Sequence, residues 1–245
     1  MRKEPFTVGD FVHVYNCGNR KIPIVLDDKD RWRFLAILRF FNDSRSSLNL
    51  LRQLYSPRNL LRSNLNSADF FRWPEYWPKQ KPLVEIVSYA LMPNHYHLLL
   101  REIIPGGISA FIKKLGNGYT AYFNVRYGES GKVFQGSYQA RLITGARYLQ
   151  YVDTYIQVLN PLELLPHSMV VDNFNSSFGQ ILKSPFNSIK ENLGLRNFSI
   201  TERKKFLAIS NLPTEAIAYK TFVRNVVFDK GLKKFLGNAV IEDQQ

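Results

Sequence analysis

The sequence predicts an α+β domain, a mainly antiparallel sheet covered by helices. Strand-like runs alternate with helical ones along the first 165 residues. Two of the strand-like runs, 83–92 and 94–101, are separated only by a turn at Pro93, as in an antiparallel hairpin and not in a parallel crossover. Composition sets the outer bounds. A chain of 245 residues, 45% of them hydrophobic, is long enough to bury a sizeable core. Cys17 is the one cysteine, so no intrachain disulfide forms. No apolar stretch resembling a signal peptide follows the first residues, and no run approaches the roughly 20 apolar residues that cross a bilayer. The expectation is a soluble, cytoplasmic protein with no membrane partner. A formal net charge of +13 points to a polyanion instead, nucleic acid first, and to a nucleoid-associated location.

The elements follow in order. Residues 11–15 alternate and are rich in β-branched and aromatic side chains, giving a first strand that ends at Asn16-Cys17-Gly18-Asn19, with His13 read as structural. Asp27 and Asp28 precede a helix over 30–41, where Trp32, Leu35, Ile37, Leu38 and Phe41 fall near helical spacing and the acids suit the positive end of the dipole. Residues from about 42 to 82, with their serines, arginines and the Trp73-Pro74-Glu75-Tyr76-Trp77-Pro78 run, read as a partly helical insertion closed by a proline-punctuated loop. After the hairpin comes a helix over 108–127, periodic despite Gly116 and Gly118, and then a last strand over 133–143. A helix over 146–159 should stop before Pro161. Past Pro166 the composition turns to Asn, Ser and Phe, with short helices expected around 199–209, 214–228 and 231–239. The expected division is one domain over 1–165, carrying the insertion, and a helical C-terminal extension over 166–245.

Chemistry concentrates in the hairpin. In an extended strand His95 and His97 point to one face while Tyr96 and Leu98 point to the other. Neutral imidazole is a common divalent-metal ligand, and a strand fixes the separation of two. Alone, an H-x-H fits a polar strand face equally well. Downstream, residues 101–150 carry seven basic residues against Glu102 and Glu129, interleaved with aromatics, as in a groove where bases stack and phosphates meet cations. Lys113, Lys114, Arg126, Lys132, Gln135, Arg141 and Arg147 are the candidate DNA contacts, although several aromatics among them also suit a core. Tyr148, Tyr151 and Tyr155 share one helical face, either as core or as carriers of a phenolate nucleophile.

His95-Tyr96-His97, with Tyr155-Ile156 and Asn160-Pro161, resembles the HUH single-tyrosine transposases, most nearly the REP-associated tyrosine transposases and their insertion-sequence relatives. His13-Val14-Tyr15-Asn16 with Gly18, Met92-Pro93-Asn94-His95, Phe134-Gln135-Gly136 and Leu193-Gly194-Leu195-Arg196-Asn197 resemble family text in family order. The resemblance implies a ferredoxin-like sheet and a metal-dependent transposase that nicks and rejoins single-stranded DNA beside a hairpin through a 5′-phosphotyrosine link. It implies Mg²⁺ or Mn²⁺ as cofactor, His95 and His97 as ligands, Tyr155 as nucleophile with Tyr151 in reserve, and a monomer or homodimer. Relatives place an amide ligand four residues after the tyrosine, whereas Asn160 lies five after Tyr155. That extra residue turns a helical side chain by about 100°. A π-bulge would restore Asn160, Gln157 would substitute, or the site would be impaired. The last case makes the chain a domesticated hairpin-DNA-binding protein.

Overall fold

A computed structural model describes residues 6–45, 68–166, 170 and 173–228. Four strands form the sheet: β1 (Phe11–Cys17), β2 (Val84–Leu91), β3 (His95–Glu102) and β4 (Gln139–Ile143). Helix α1 (Asp28–Phe40) joins β1 to β2, and α2 (Gly107–Tyr127) joins β3 to β4. The spatial order is β2-β3-β1-β4 with every neighbouring pair antiparallel. A β-α-β-β-α-β chain in this order is the ferredoxin-like arrangement. Of the insertion, residues 42–45 and 68–82 are described, and the stretch between them, 46–67, lies outside the described residues.

Alternation along the strands builds two different faces. Val12, Val14, Tyr96, Leu98 and Leu100 point to α1 and α2, where Phe34, Leu38, Phe111, Leu115 and Tyr119 complete one core. Asp27 caps α1 by accepting from the Asp30 amide, and the Arg126 guanidinium, near the end of α2, reaches both carboxylates. The two helices are thereby fastened end to end.

The glycines of α2 divide by surroundings. A Cβ on Gly118 would fall 2.1 Å from the buried Phe41 ring, whereas one on Gly116 meets nothing within 4 Å. Gly118 therefore lets the first helix approach, and Gly116 leaves helix propensity unused. Gly118→Ala is expected to cost about 1–3 kcal/mol through overpacking, while Gly116→Ala gains up to about 1 kcal/mol. Thermal melts of the two variants should move in opposite directions.

The other face of the sheet is covered from the C-terminal half. Helix α3 (Ala146–Thr154) runs into a π-helical turn at Tyr155–Leu159 and a short α4 (Asn160–Leu162). Then come α5 (Phe174–Lys183), α6 (Ile189–Asn192), α7 (Lys204–Ser210) and α8 (Ala216–Phe228). Phe11, Leu99 and Ile143 of the sheet pack there with Ile156, Phe178, Ile189, Phe206 and Val223. Residues 174–228 thus supply a second helical layer.

Three expectations differ from the structure. The last strand begins at Gln139, because 133–138 leave the ladder after one isolated bridge from Phe134 to Gly18. Pro161 does not stop the helix, since it sits in the first turn of α4, where its missing N–H costs least. Helices α5 and α6 arise in the Asn-, Ser- and Phe-rich stretch, where no individual helix was expected. The helix expected over 231–239 lies outside the described residues. No described helix is long and apolar enough to cross a membrane.

Candidate active site

Register brings the histidines together. On β3, His95 and His97 face the C-terminal layer, and Tyr15 on β1 pairs with His97 one step from His13. His13 Nε2 lies 2.9 Å from His97 Nδ1, both rings are buried, and they stack with centroids 5.1 Å apart. His95 and His97 meet edge to face at 5.0 Å. Asn94 Oδ1 is 2.7 Å from His95 Nδ1. An amide oxygen can only accept, so His95 carries its proton on Nδ1 and keeps a lone pair on Nε2.

The tyrosine helix completes the cluster. The Tyr155 ring stands edge-on to His97 at 5.4 Å and to His13 at 6.1 Å. In the π-turn the Asn160 amide N–H bonds to the Tyr155 carbonyl, so five residues fill one turn and Asn160 lies over Tyr155 despite the long spacing. Its side chain Nδ2 approaches His95 Nε2 at 3.2 Å and the Tyr155 hydroxyl at 3.3 Å. Asn160 and Tyr155 are 1% and 4% exposed, which makes this a sheltered site at the floor of a cleft of about 650 Å³.

Gln157 lies elsewhere. It is fully buried, and its Oε1 accepts from Asn192 of α6. Tyr151 packs on Phe222 and Val226 of α8, its hydroxyl accepting from Arg147 at 2.8 Å. Among the seven residues expected to meet DNA, Gln135 and Arg141 line the cleft, together with Lys21. Lys113 and Lys132 line a neighbouring cleft of about 680 Å³ between α2 and residues 131–138. Lys114 donates to the Asp43 and Arg45 carbonyls, and Arg126 is engaged by Asp27, Asp30 and Tyr122. Those two cations serve the fold. The role of His13 beside His97 escaped sequence reasoning, because a pairing between residues 84 apart leaves no local signal.

The donor set fits a divalent cation. Asn160 Oδ1 is buried and has no hydrogen-bond partner among the described residues. The assignment of amide O and N follows the hydrogen-bond network. The Asn160 amide oxygen would serve as a donor to a cation beside His95 and His97. Among the described residues no three His, Cys, Asp or Glu side chains form a metal-binding group.

Burial also sets the protonation of the site. It pushes the His13 imidazole down to about 3, with Arg141 adding in the same direction. Burial holds His97 well below its usual range, as do the neighbouring His13 and His95. In the unfolded chain His13 protonates near 6.5, so between these values the unfolded state binds more protons and stability falls as pH falls. Going from pH 7 to 4.5 is expected to cost about 2.5 kcal/mol from His13 alone. Melting temperature against pH checks this, and a flat profile from 7 to 4.5 would contradict it.

Residues 78–158 match the family model of the IS200-like transposases. The matched segment runs from the approach to β2 through the hairpin, α2, β4 and the tyrosine helix, and it ends within the π-turn, two residues before Asn160. A solved structure of a REP-associated tyrosine transposase bound to a REP hairpin aligns at TM-score 0.45 and 12% identity, over 83% of this chain and 96% of that one. No curated protein matches the chain.

Proposed function

We propose that the protein is a metal-dependent transposase that nicks and rejoins single-stranded DNA beside a hairpin. The observation that carries this reading is the linked set His95, Asn160 and Tyr155, in which one amide touches both an imidazole and the phenol within 3.3 Å. His95, His97 and Asn160 would hold Mg²⁺ or Mn²⁺, which would supply Lewis-acid neutralisation of charge on the scissile phosphate. The Tyr155 hydroxyl gives up its proton and its oxygen bonds to phosphorus. The bond from phosphorus to the 3′ oxygen breaks, and that oxygen takes up a proton as a free 3′-hydroxyl. Rejoining is the reverse, so bond energy is conserved in the phosphotyrosine. Lys21 and Arg141 at the cleft supply charge for the DNA backbone.

The extra residue before Asn160 is the motive for the alternative, a hairpin binder that does not cut. The π-turn absorbs that residue, which favours the cleaving reading. Purified protein, Mn²⁺ and a hairpin-bearing single-stranded oligonucleotide distinguish the two. A covalent adduct that EDTA prevents is expected. Tight, salt-sensitive hairpin binding with no adduct under any divalent metal would establish the non-cutting alternative.

A further inference from the structure

We infer that His13 is a positioning residue that holds His97 in the tautomer able to bind a cation, and this inference rests on the metal reading above. The contact between His13 Nε2 and His97 Nδ1 measures 2.9 Å. Between two neutral imidazoles it carries one proton, and two arrangements are possible. If His97 donates from Nδ1, its Nε2 keeps the lone pair that ligation needs. If His13 donates from Nε2, His97 bears its proton on Nε2 and cannot ligate through it. His13 thus provides the acceptor that His97 needs, as Asn94 Oδ1 does for His95 at 2.7 Å. Each histidine of the H-x-H has its Nδ1 against an outer partner, and such partners orient metal-binding rings.

A packing role does not account for His13. It is 2% exposed on a face shared with Phe11 and Leu99, where an aliphatic side chain would pack without the desolvation cost of an imidazole. The antiparallel register fixes the pair, because His97 lies opposite Tyr15 and His13 opposite Leu99, and the two rings stack at an interplanar angle of 24°. The backbone of two sheet strands holds this acceptor in place.

The test uses full-length protein labelled with ¹⁵N-histidine. Long-range ¹H–¹⁵N spectra of the metal-free wild type should show His97 protonated on Nδ1. His13→Phe, which keeps an aromatic ring and removes the acceptor, should move His97 to the Nε2-protonated form or to a mixture. His13→Gln, which restores an acceptor oxygen, should return it. Mn²⁺ titrations followed by electron paramagnetic resonance should show binding about 10–100-fold weaker in His13→Phe and close to wild type in His13→Gln. Wild type with His97 protonated on Nε2 would overturn the inference, and that reading needs no variant to fold. Wild type that binds Mn²⁺ while folded His13→Phe binds it equally well would overturn the inference alone. Wild type that binds no Mn²⁺ would overturn the metal reading and this inference with it.

Discussion

Asn160→Ala is expected to weaken Mn²⁺ binding by at least about two orders of magnitude, beyond the 10–100-fold typical of losing an outer partner, with the fold intact. In the proposed reading Asn160 would supply an amide oxygen to the cation, and its Oδ1 is a buried acceptor with no hydrogen-bond partner among the described residues. Truncation removes that oxygen and the contacts to His95 and Tyr155 without burying a new polar group. An alanine inserted after Leu159 should act similarly by another route, since it turns Asn160 by about 100° away from His95. Deleting Leu159 should instead convert the π-turn to a regular α-turn and keep the amide over Tyr155. Titration with Mn²⁺ checks all three, and equal affinity in Asn160→Ala would exclude Asn160 as a ligand.

Arg203→Met is expected to destabilise the protein by about 3–5 kcal/mol, which lowers its melting temperature by roughly 10 °C for a chain of this size. The Arg203 guanidinium makes two 3.0 Å bonds to the Asp153 carboxylate and a third to the Val87 carbonyl on β2. Asp153 is fully buried two residues before Tyr155, so the variant leaves a carboxylate without its counter-ion inside the second core. The pair also ties the tyrosine helix to the sheet, and the variant should lose adduct formation as well as stability. Arg203→Met combined with Asp153→Leu should recover much of the stability, because a well-packed apolar pair commonly replaces a buried ion pair at little cost. Calorimetry distinguishes this from an ordinary surface substitution, which would shift the transition little.

The sheet was legible in the sequence because β1, β2 and β3 are short runs rich in β-branched, aromatic and other apolar residues and the hairpin turn at Pro93 fixes one pairing locally. The shared face of His95 and His97 followed from the alternation of side chains along a strand. The anomaly at Asn160 was visible as a count of residues, and its resolution by a π-turn was one of the alternatives the spacing allowed. What remained hidden depends on distant partners. Arg126 and Lys114 sit in a basic stretch that reads as a DNA face, yet they meet Asp27, Asp30 and the carbonyls of Asp43 and Arg45, far back in the chain. Helix α5 is periodic through Phe174, Phe178 and Ile181, a signal obscured by the intervening Asn and Ser residues. His13 gave no sign of its contact, because the register of β1 on β3 decides it.

In the proposed reaction the Tyr155 oxygen attacks DNA beside the imidazole–amide cluster. Incubating the protein with Mn²⁺ and a hairpin-bearing single-stranded oligonucleotide, followed by proteolysis and mass spectrometry of the nucleotide-linked peptide, tests it most directly. A 5′-phosphotyrosine at Tyr155 and no adduct in Tyr155→Phe are expected. An adduct mapped to Tyr151, or one that persists in Tyr155→Phe, would contradict it.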